Sequence, residues 1–322
     1  MKVVVIGCGR WGSLIAWYLD SIDRGLDVTL CGRPTSSHMK RFLQTRKNDL
    51  LELPQSISLS TDYSCVEDAD IIVISVASQA LDSLMGQLCA YGLENKIFVL
   101  CMKGLEINTG RRLSQIAEGR LSPTNKVAVW LGPGHVQEFY SGIPNCMVID
   151  SRHEDIKKLL VETFSSRLIR FYYGKDIIGN EVGAAAKNVI GIAAGMLDGL
   201  ELSTLKGVLM SRGTREVGRL VRAMGGNEIS VYGLCHLGDY EATVFSRFSH
   251  NRRYGEAFIK GEDYGELAEG YYTVKAIMLL KEQYKVDMPI CEAVYAMLYE
   301  NADAKDTISR LFERRTTEEF YR

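Results

Sequence analysis

Three glycines with the spacing G-x-G-x-x-G, Gly7-Cys8-Gly9-Arg10-Trp11-Gly12, follow directly on an apolar run at residues 3–6. They lead into an amphipathic helical stretch at 13–20. A strand that meets glycine and leaves as a helix opens a parallel α/β unit. In such a turn Gly7 allows the tight bend and Gly9 lets the backbone approach a pyrophosphate. Gly12 permits close helix–strand packing, and the helix N-terminus supplies positive partial charge. An ordinary glycine-rich turn is the bland alternative. The position of the motif, at residue 7 of an alternating α/β chain, favours a dinucleotide.

That alternation continues through the first half. Short β-branched runs at 27–30, 71–76, 96–101, 126–130, 146–149 and 168–173 are separated by helical patterns such as 13–22 and 81–90. Near-continuous Val/Ile runs suit parallel strands covered on both faces. From residue 177 onward only helical periodicity remains, at 183–197, 206–224, 264–284 and 290–299. The expected fold class is α/β: a Rossmann-type doubly wound, mostly parallel sheet domain over 1–175, then an all-helical substrate domain over 176–322. A length of 322 residues suits two domains.

Composition narrows the class of partner. Lys and Arg total 38 against 40 Asp and Glu, and the basic residues are scattered, so no nucleic acid is expected. The eight cysteines form no C-x-x-C pair and read as reduced thiols. The apolar run at 1–6 is too short for a signal peptide, and the most apolar stretch, 183–200, contains Lys187 and Asp198. A cytoplasmic protein without stable membrane insertion is expected. The five histidines are dispersed, so no metal site is expected.

The second strand bears on the choice of cofactor. An NAD site usually carries Asp or Glu at that strand's end, where it holds the ribose 2′-hydroxyl. Here the strand ends Leu30-Cys31-Gly32-Arg33, with Thr35, Ser36 and Ser37 close behind, and Asp27 lies at the wrong end. A guanidinium suits a 2′-phosphate, so NADP(H) is favoured and NAD(H) remains possible. A solvated surface arginine is the competing reading.

Three further segments carry chemistry. Lys103, in Cys101-Met102-Lys103-Gly104-Leu105-Glu106, follows a strand, where open α/β sheets bind ligands. Lys187 lies among small apolar residues, where burial would lower its pKa toward proton-transfer work. Asp239, Thr243 and the run Ser249-His250-Asn251-Arg252-Arg253-Tyr254-Gly255 form a cluster of donors suited to an anion. Each has a plainer reading. Lys103 could be a loop lysine, Lys187 a snorkelling one, Asp239 a helix N-cap, and Cys101 a structural thiol. The aromatics Tyr271, Tyr272, Tyr295 and Tyr299 read as core or a subunit contact.

Through these segments the chain resembles the bacterial NAD(P)-dependent glycerol-3-phosphate dehydrogenases. The matches are the N-terminal glycine motif, Lys103-Gly104-Leu105-Glu106, Gly132-Pro133 with Glu138, Lys187-Asn188-Val189-Ile190, and Gly195-Met196-x-Asp198-Gly199. Arg212-Gly213, Leu237-Gly238-Asp239, Asn251-Arg252-Arg253-x-Gly255, Glu269-Gly270-Tyr271 and Met288-Pro289-Ile290 complete them. The resemblance implies reduction of dihydroxyacetone phosphate to sn-glycerol 3-phosphate for phospholipid synthesis, by a homodimer. It implies Lys187 as proton donor and acceptor, Lys103 polarising the substrate and Asp239 orienting Lys187. Gly132, Thr243, Ser249, His250 and Asn251 would line the substrate and phosphate site with them. The cofactor would be contacted by Gly7, Gly9, Arg10, Trp11, Gly12, Arg33, Lys103, Val136, His250 and Glu269.

Two positions depart from that pattern. His250 stands where the family usually has arginine, and Gly134 where it usually has Ser or Thr. At His250 an imidazolium could take over the charge at a phosphate. Two alternatives stay open: a related two-domain reductase acting on another small keto or hydroxy acid, and a catalytically silent NADP(H)-binding sensor.

Overall fold

The computed structural model describes residues 1–316, 318 and 319. Its strands are β1 (Lys2–Ile6), β2 (Asp27–Cys31), β3 (Ser58–Ser60), β4 (Ile71–Ile74), β5 (Ile97–Leu100), β6 (Lys126–Leu131), β7 (Asn145–Ser151) and β8 (Ile169–Tyr173). They form one sheet in the order β3-β2-β1-β4-β5-β6-β7-β8. Only the β6–β7 pair is antiparallel. The first six strands thus have the doubly wound order, whose switch point between β1 and β4 opens a crevice at the carboxyl ends of the strands. All four residues of β4 and the last four of β1 are buried, as expected for strands covered on both faces.

The covering helices are α1 (Arg10–Ser21), α2 (Ser37–Thr45), α3 (Leu81–Cys89), α4 (Leu113–Arg120), α5 (Val136–Tyr140) and α6 (Glu154–Phe164). Then come α7 (Ile177–Gly199), α8 (Lys206–Ala223), α9 (His250–Lys260), α10 (Glu269–Tyr284), α11 (Pro289–Tyr299) and α12 (Ala304–Phe312). Every residue of α7 from Gly179 to Leu197 is buried, which makes it the axle of the helical part. Helices α8, α9, α10 and α11 all pack on it. Two glycines bring α7 and α9 into backbone contact. A Cβ on Gly195 would lie 1.8 Å from the Arg252 carbonyl, and one on Gly255 would lie 2.1 Å from the Ile192 carbonyl. Among the described residues no helix is long and apolar enough to cross a membrane.

Every strand expected from the sequence is present. Strand β3 was not expected, because Ser58-Leu59-Ser60 is three residues at the sheet edge with no apolar run to mark it. The donor cluster at 249–255 proves to be the start of α9, whose polar first turn hides its helical period. The expected helix at 264–284 begins only at Glu269.

Candidate active site

The glycine turn divides its labour by space. Gly7 has φ +111°, and a Cβ there would sit 2.0 Å from the Ser75 carbonyl on the loop after β4. A Cβ on Gly12 would sit 1.9 Å from the Gly7 carbonyl, so α1 can lie against β1 only with glycine there. Above Gly9 nothing lies within 4 Å of the added atom. That open approach leads to the N-terminus of α1, whose first turn carries no acidic residue. The cradle therefore fits a pyrophosphate. Arg33 is exposed at the carboxyl rim of β2, as are Thr35 and Ser37, while Ser36 is committed to capping α2 by accepting from the Met39 amide. Trp11 packs on Phe139 with ring centroids 5.9 Å apart, and Val136 is buried where α5 begins.

Beyond β5 the chain delivers Lys103 to the same crevice. Gly104 must be glycine, since a Cβ would approach Ser78 Oγ to 2.5 Å. Asn188 Nδ2 on α7 donates to the Lys103 carbonyl at 2.9 Å. Lys103 Nζ donates to the Gly132 carbonyl at 2.6 Å and to Asp239 Oδ2 at 2.7 Å. From the opposite side Lys187 Nζ approaches the same Asp239 oxygen at 2.9 Å and donates to Thr243 Oγ1 at 2.7 Å. Thr243 in turn donates to the Asp239 carbonyl at 2.7 Å. Thr243 lies in a single π-turn, Glu241–Phe245, an uncommon geometry that recurs at functional sites.

One carboxylate thus stands between two ammonium groups, leaving the cluster with an excess positive charge. Asp239 is 1% exposed, and its side chain bonds the two lysines rather than capping a helix, which settles that competing reading. Lys187 is also buried. Desolvation pulls its pKa down to about 8; Asp239 opposes the shift and Lys103 adds to it. Neither lysine is a solvated surface side chain. Burial pushes the Cys101 thiol up, as befits a structural cysteine.

Of the remaining expected residues, Glu269 and His250 tie the two parts of the chain together, while Asn251 and Ser249 are held within the helical part. Glu269 accepts from the Ser78 amide at 3.0 Å and from its hydroxyl, tying α10 to the loop after β4. Asn251 is used at both ends: Nδ2 donates to Asn188 at 3.1 Å and Oδ1 accepts from the Gly270 amide at 2.8 Å. Ser249 caps α9 by accepting from the Arg252 amide. His250 meets Arg10 Nη1 at 2.8 Å through Nε2 and Tyr264 OH at 2.8 Å through Nδ1. An arginine can only donate, so Nε2 accepts and the ring is neutral here. Burial and the Arg10 charge hold its pKa below the usual range. Its surroundings therefore disfavour the imidazolium that the sequence suggested for the phosphate.

Several residues outside the expected set matter as well. Asn188 braces the lysine loop, Ser78 anchors Glu269, and Asp198 holds both Arg252 and Lys206 at 2.6 Å. Asn188 and Asp198 lie inside matched segments and could have been found there. Ser78 lies in no such segment. The tyrosines prove to be a packed ladder: Tyr271 stacks on Tyr299 at 4.7 Å, and Tyr295 on Tyr299 at 5.0 Å.

Comparison with known proteins agrees over nearly the whole length. The family model for the NAD-dependent glycerol-3-phosphate dehydrogenase N-terminus matches residues 2–157, and that for the C-terminus matches 176–309. A glycerol-3-phosphate dehydrogenase [NAD(P)+] from Prosthecochloris aestuarii is 36% identical, with 98% of each chain covered. Its counterpart from Fusobacterium nucleatum is 34% identical over 98% of this chain and 97% of its own. The crystal structure of glycerol-3-phosphate dehydrogenase from Coxiella burnetii superposes with a TM-score of 0.90 at 28% identity, covering 97% of this chain and 99% of that one. A ketopantoate reductase from Ralstonia eutropha shares the fold at a TM-score of 0.63 and 14% identity, with 96% and 100% covered. On these matches and on its own sequence, the chain belongs to the NAD-dependent glycerol-3-phosphate dehydrogenase family.

Proposed function

We propose that this chain reduces dihydroxyacetone phosphate to sn-glycerol 3-phosphate with NAD(P)H, reversibly, supplying the backbone of glycerophospholipids. The convergence of Lys103 and Lys187 on the single buried carboxylate of Asp239 carries this reading. Reduction of a ketone builds negative charge on its oxygen, which needs positive charge and a proton within reach. Bound NAD(P)H supplies the hydride. Lys187 holds the proton for the oxygen, Lys103 stabilises the charge that develops, and Asp239 fixes both ammonium groups. Thr243 and the Gly132 carbonyl hold the two lysines in place, and Ser249, His250 and Asn251 flank the phosphate end. Residues 1–175 hold the dinucleotide and 176–322 the substrate, in a homodimer working in the cytoplasm.

NADPH is the preferred cofactor in this reading, because Arg33 at the rim of β2 can pair with a 2′-phosphate. The test is turnover of dihydroxyacetone phosphate by the purified protein with NADPH or NADH, followed through the reduced nicotinamide absorbance. No oxidation of either cofactor would refute the activity. Arg33→Ala should then weaken NADPH by roughly 10–100-fold, the worth of a charge-assisted hydrogen bond, and leave NADH unchanged. Equal loss for both would remove Arg33 from the 2′-phosphate.

A further inference from the structure

His135 is absent from the set of residues that the sequence pointed to, yet it has an unmet hydrogen bond beside the lysines. Its Nε2 is buried and has no partner. A buried polar atom left unpaired forfeits its hydration and gains nothing in exchange, so such atoms in folded proteins call for an explanation. Two observations locate the ring. It packs edgewise on Phe248, next to Ser249 at the head of α9, with centroids 5.6 Å apart. The charges of Asp239, Lys187 and Lys103, along with that of Glu138, all act on it. The imidazole therefore touches the residue just before the head of α9 and lies within electrostatic reach of the lysine–carboxylate cluster, two features that the proposed reaction places at opposite ends of a small substrate.

The neighbouring backbone explains why this duty falls to residue 135. Gly134 has φ +138°, and a Cβ there would lie 2.2 Å from the Phe139 ring. With Phe139 packed as it is, position 134 cannot carry a hydroxyl into the site, so the next side chain is the one able to supply a donor. Burial holds the imidazole below its usual pKa, which keeps it neutral with one N–H to give.

We propose that His135 is a substrate ligand, its Nε2–H donating to an oxygen of the bound ketone phosphate. The proposal rests on the reductase reading above. An interaction of this kind forms when substrate enters and is kept through the reaction, so it acts on KM far more than on kcat.

The test uses His135→Phe, which keeps a ring against Phe248 and removes the donor, beside His135→Gln, whose amide N–H reaches the place of Nε2. In a wild-type protein that turns over, the Phe variant should raise KM for dihydroxyacetone phosphate about tenfold, with kcat and NADPH affinity little changed. Thermal stability without ligand should hold or rise, because an unpaired buried atom has been removed. The Gln variant should recover most of the lost affinity. Should the Phe variant misfold, His135→Asn takes its place: its shorter amide falls short of Nε2, so KM should rise for Asn and not for Gln. An unchanged KM in the donor-less variant of an active enzyme overturns the assignment. A fall in kcat and stability together, not relieved by Gln, would make His135 a packing residue only and overturn it equally. Failure of the wild type to turn over is a separate result and counts against the reductase reading itself.

Discussion

At Lys187 burial and charge pull in opposite directions, and the balance sets what the residue can do. Desolvation lowers its affinity for the proton, Asp239 at 2.9 Å opposes that, and the pKa comes to about 8. Such a group is mostly protonated at neutral pH and can still release its proton, which is the poise a reversible acid–base needs. Two outcomes follow for one residue. Lys187→Met should lower kcat by about 10²–10⁴-fold, with NADPH affinity unchanged, because the glycine cradle lies on β1 and α1. In the wild type, ketone reduction requires the protonated amine, so its rate should fall as pH rises through about 8. The reverse oxidation requires the free amine and should rise through the same range. Profiles of kcat against pH in both directions check this, and parallel profiles would place the titrating group elsewhere.

At the scale of elements, the site depends on how closely α9 lies on α7. Gly255 and Gly195 let the two backbones touch, and Ser249, His250 and Asn251 sit at the start of the helix so placed. Gly255→Ala forces a carbon to within 2.1 Å of the Ile192 carbonyl, so the helices must separate. The expected cost is about 1–3 kcal/mol, with a rise in KM for substrate as the head of α9 shifts. Gly119→Ala is the control. It is an exposed residue of α4 with nothing within 4 Å of the new atom, and alanine there should stabilise by roughly 0.5–1 kcal/mol. Thermal denaturation of both variants tests the contrast. The same elements show what a sequence can and cannot reveal. Strands β1, β4 and β5 are legible because burial on both faces demands an unbroken apolar run. Helix α9 is not, because its first turn is built of polar residues facing a site. The pairing of Lys103 with Asp239 spans 136 positions of sequence, and no local pattern contains it. Both partners still stand out in the sequence, each for its own chemistry. His135 and Ser78 do not, because what marks them is the absence of a partner in one case and a contact with α10 in the other.

For the whole molecule, the sheet and the helical part meet in an apolar cluster, where Ala184 and Cys235 are buried with residues of β1 and β4 to β7, and polar contacts tie them across it. Arg10 reaches His250, Ser78 reaches Glu269, Arg112 pairs with buried Glu181, and Lys103 reaches Asp239. On the helical side of this junction one group is especially sensitive to pH, His236, which bonds Gly183 on α7 and Tyr240. It is fully buried, its Nδ1–H donates to the Gly183 carbonyl at 2.8 Å, and its Nε2 accepts from Tyr240 OH at 2.7 Å. Both ring nitrogens are used in the neutral form, and burial lowers the pKa from 6.5 to about 4. The unfolded chain therefore binds this proton first as pH falls. The stability contributed by neutral His236 is present above about pH 6.5 and is lost progressively toward pH 4. A tenfold difference in proton affinity between the folded and unfolded chain is worth about 1.4 kcal/mol, so the loss comes to about 2 kcal/mol near pH 5 and about 3 kcal/mol near pH 4. His135 and His250, also held below their usual range, add in the same direction. His236→Asn keeps a donor for Gly183 and cannot titrate. Its stability near pH 7 should drop, because Tyr240 loses its acceptor, and its decline between about pH 6.5 and 4 should be shallower than in the wild type. Denaturant midpoints across that range measure both effects. If the two proteins decline with the same slope, the acid sensitivity belongs to His135 and His250, on the substrate side of the junction, and His236 serves only as a strut beneath Asp239.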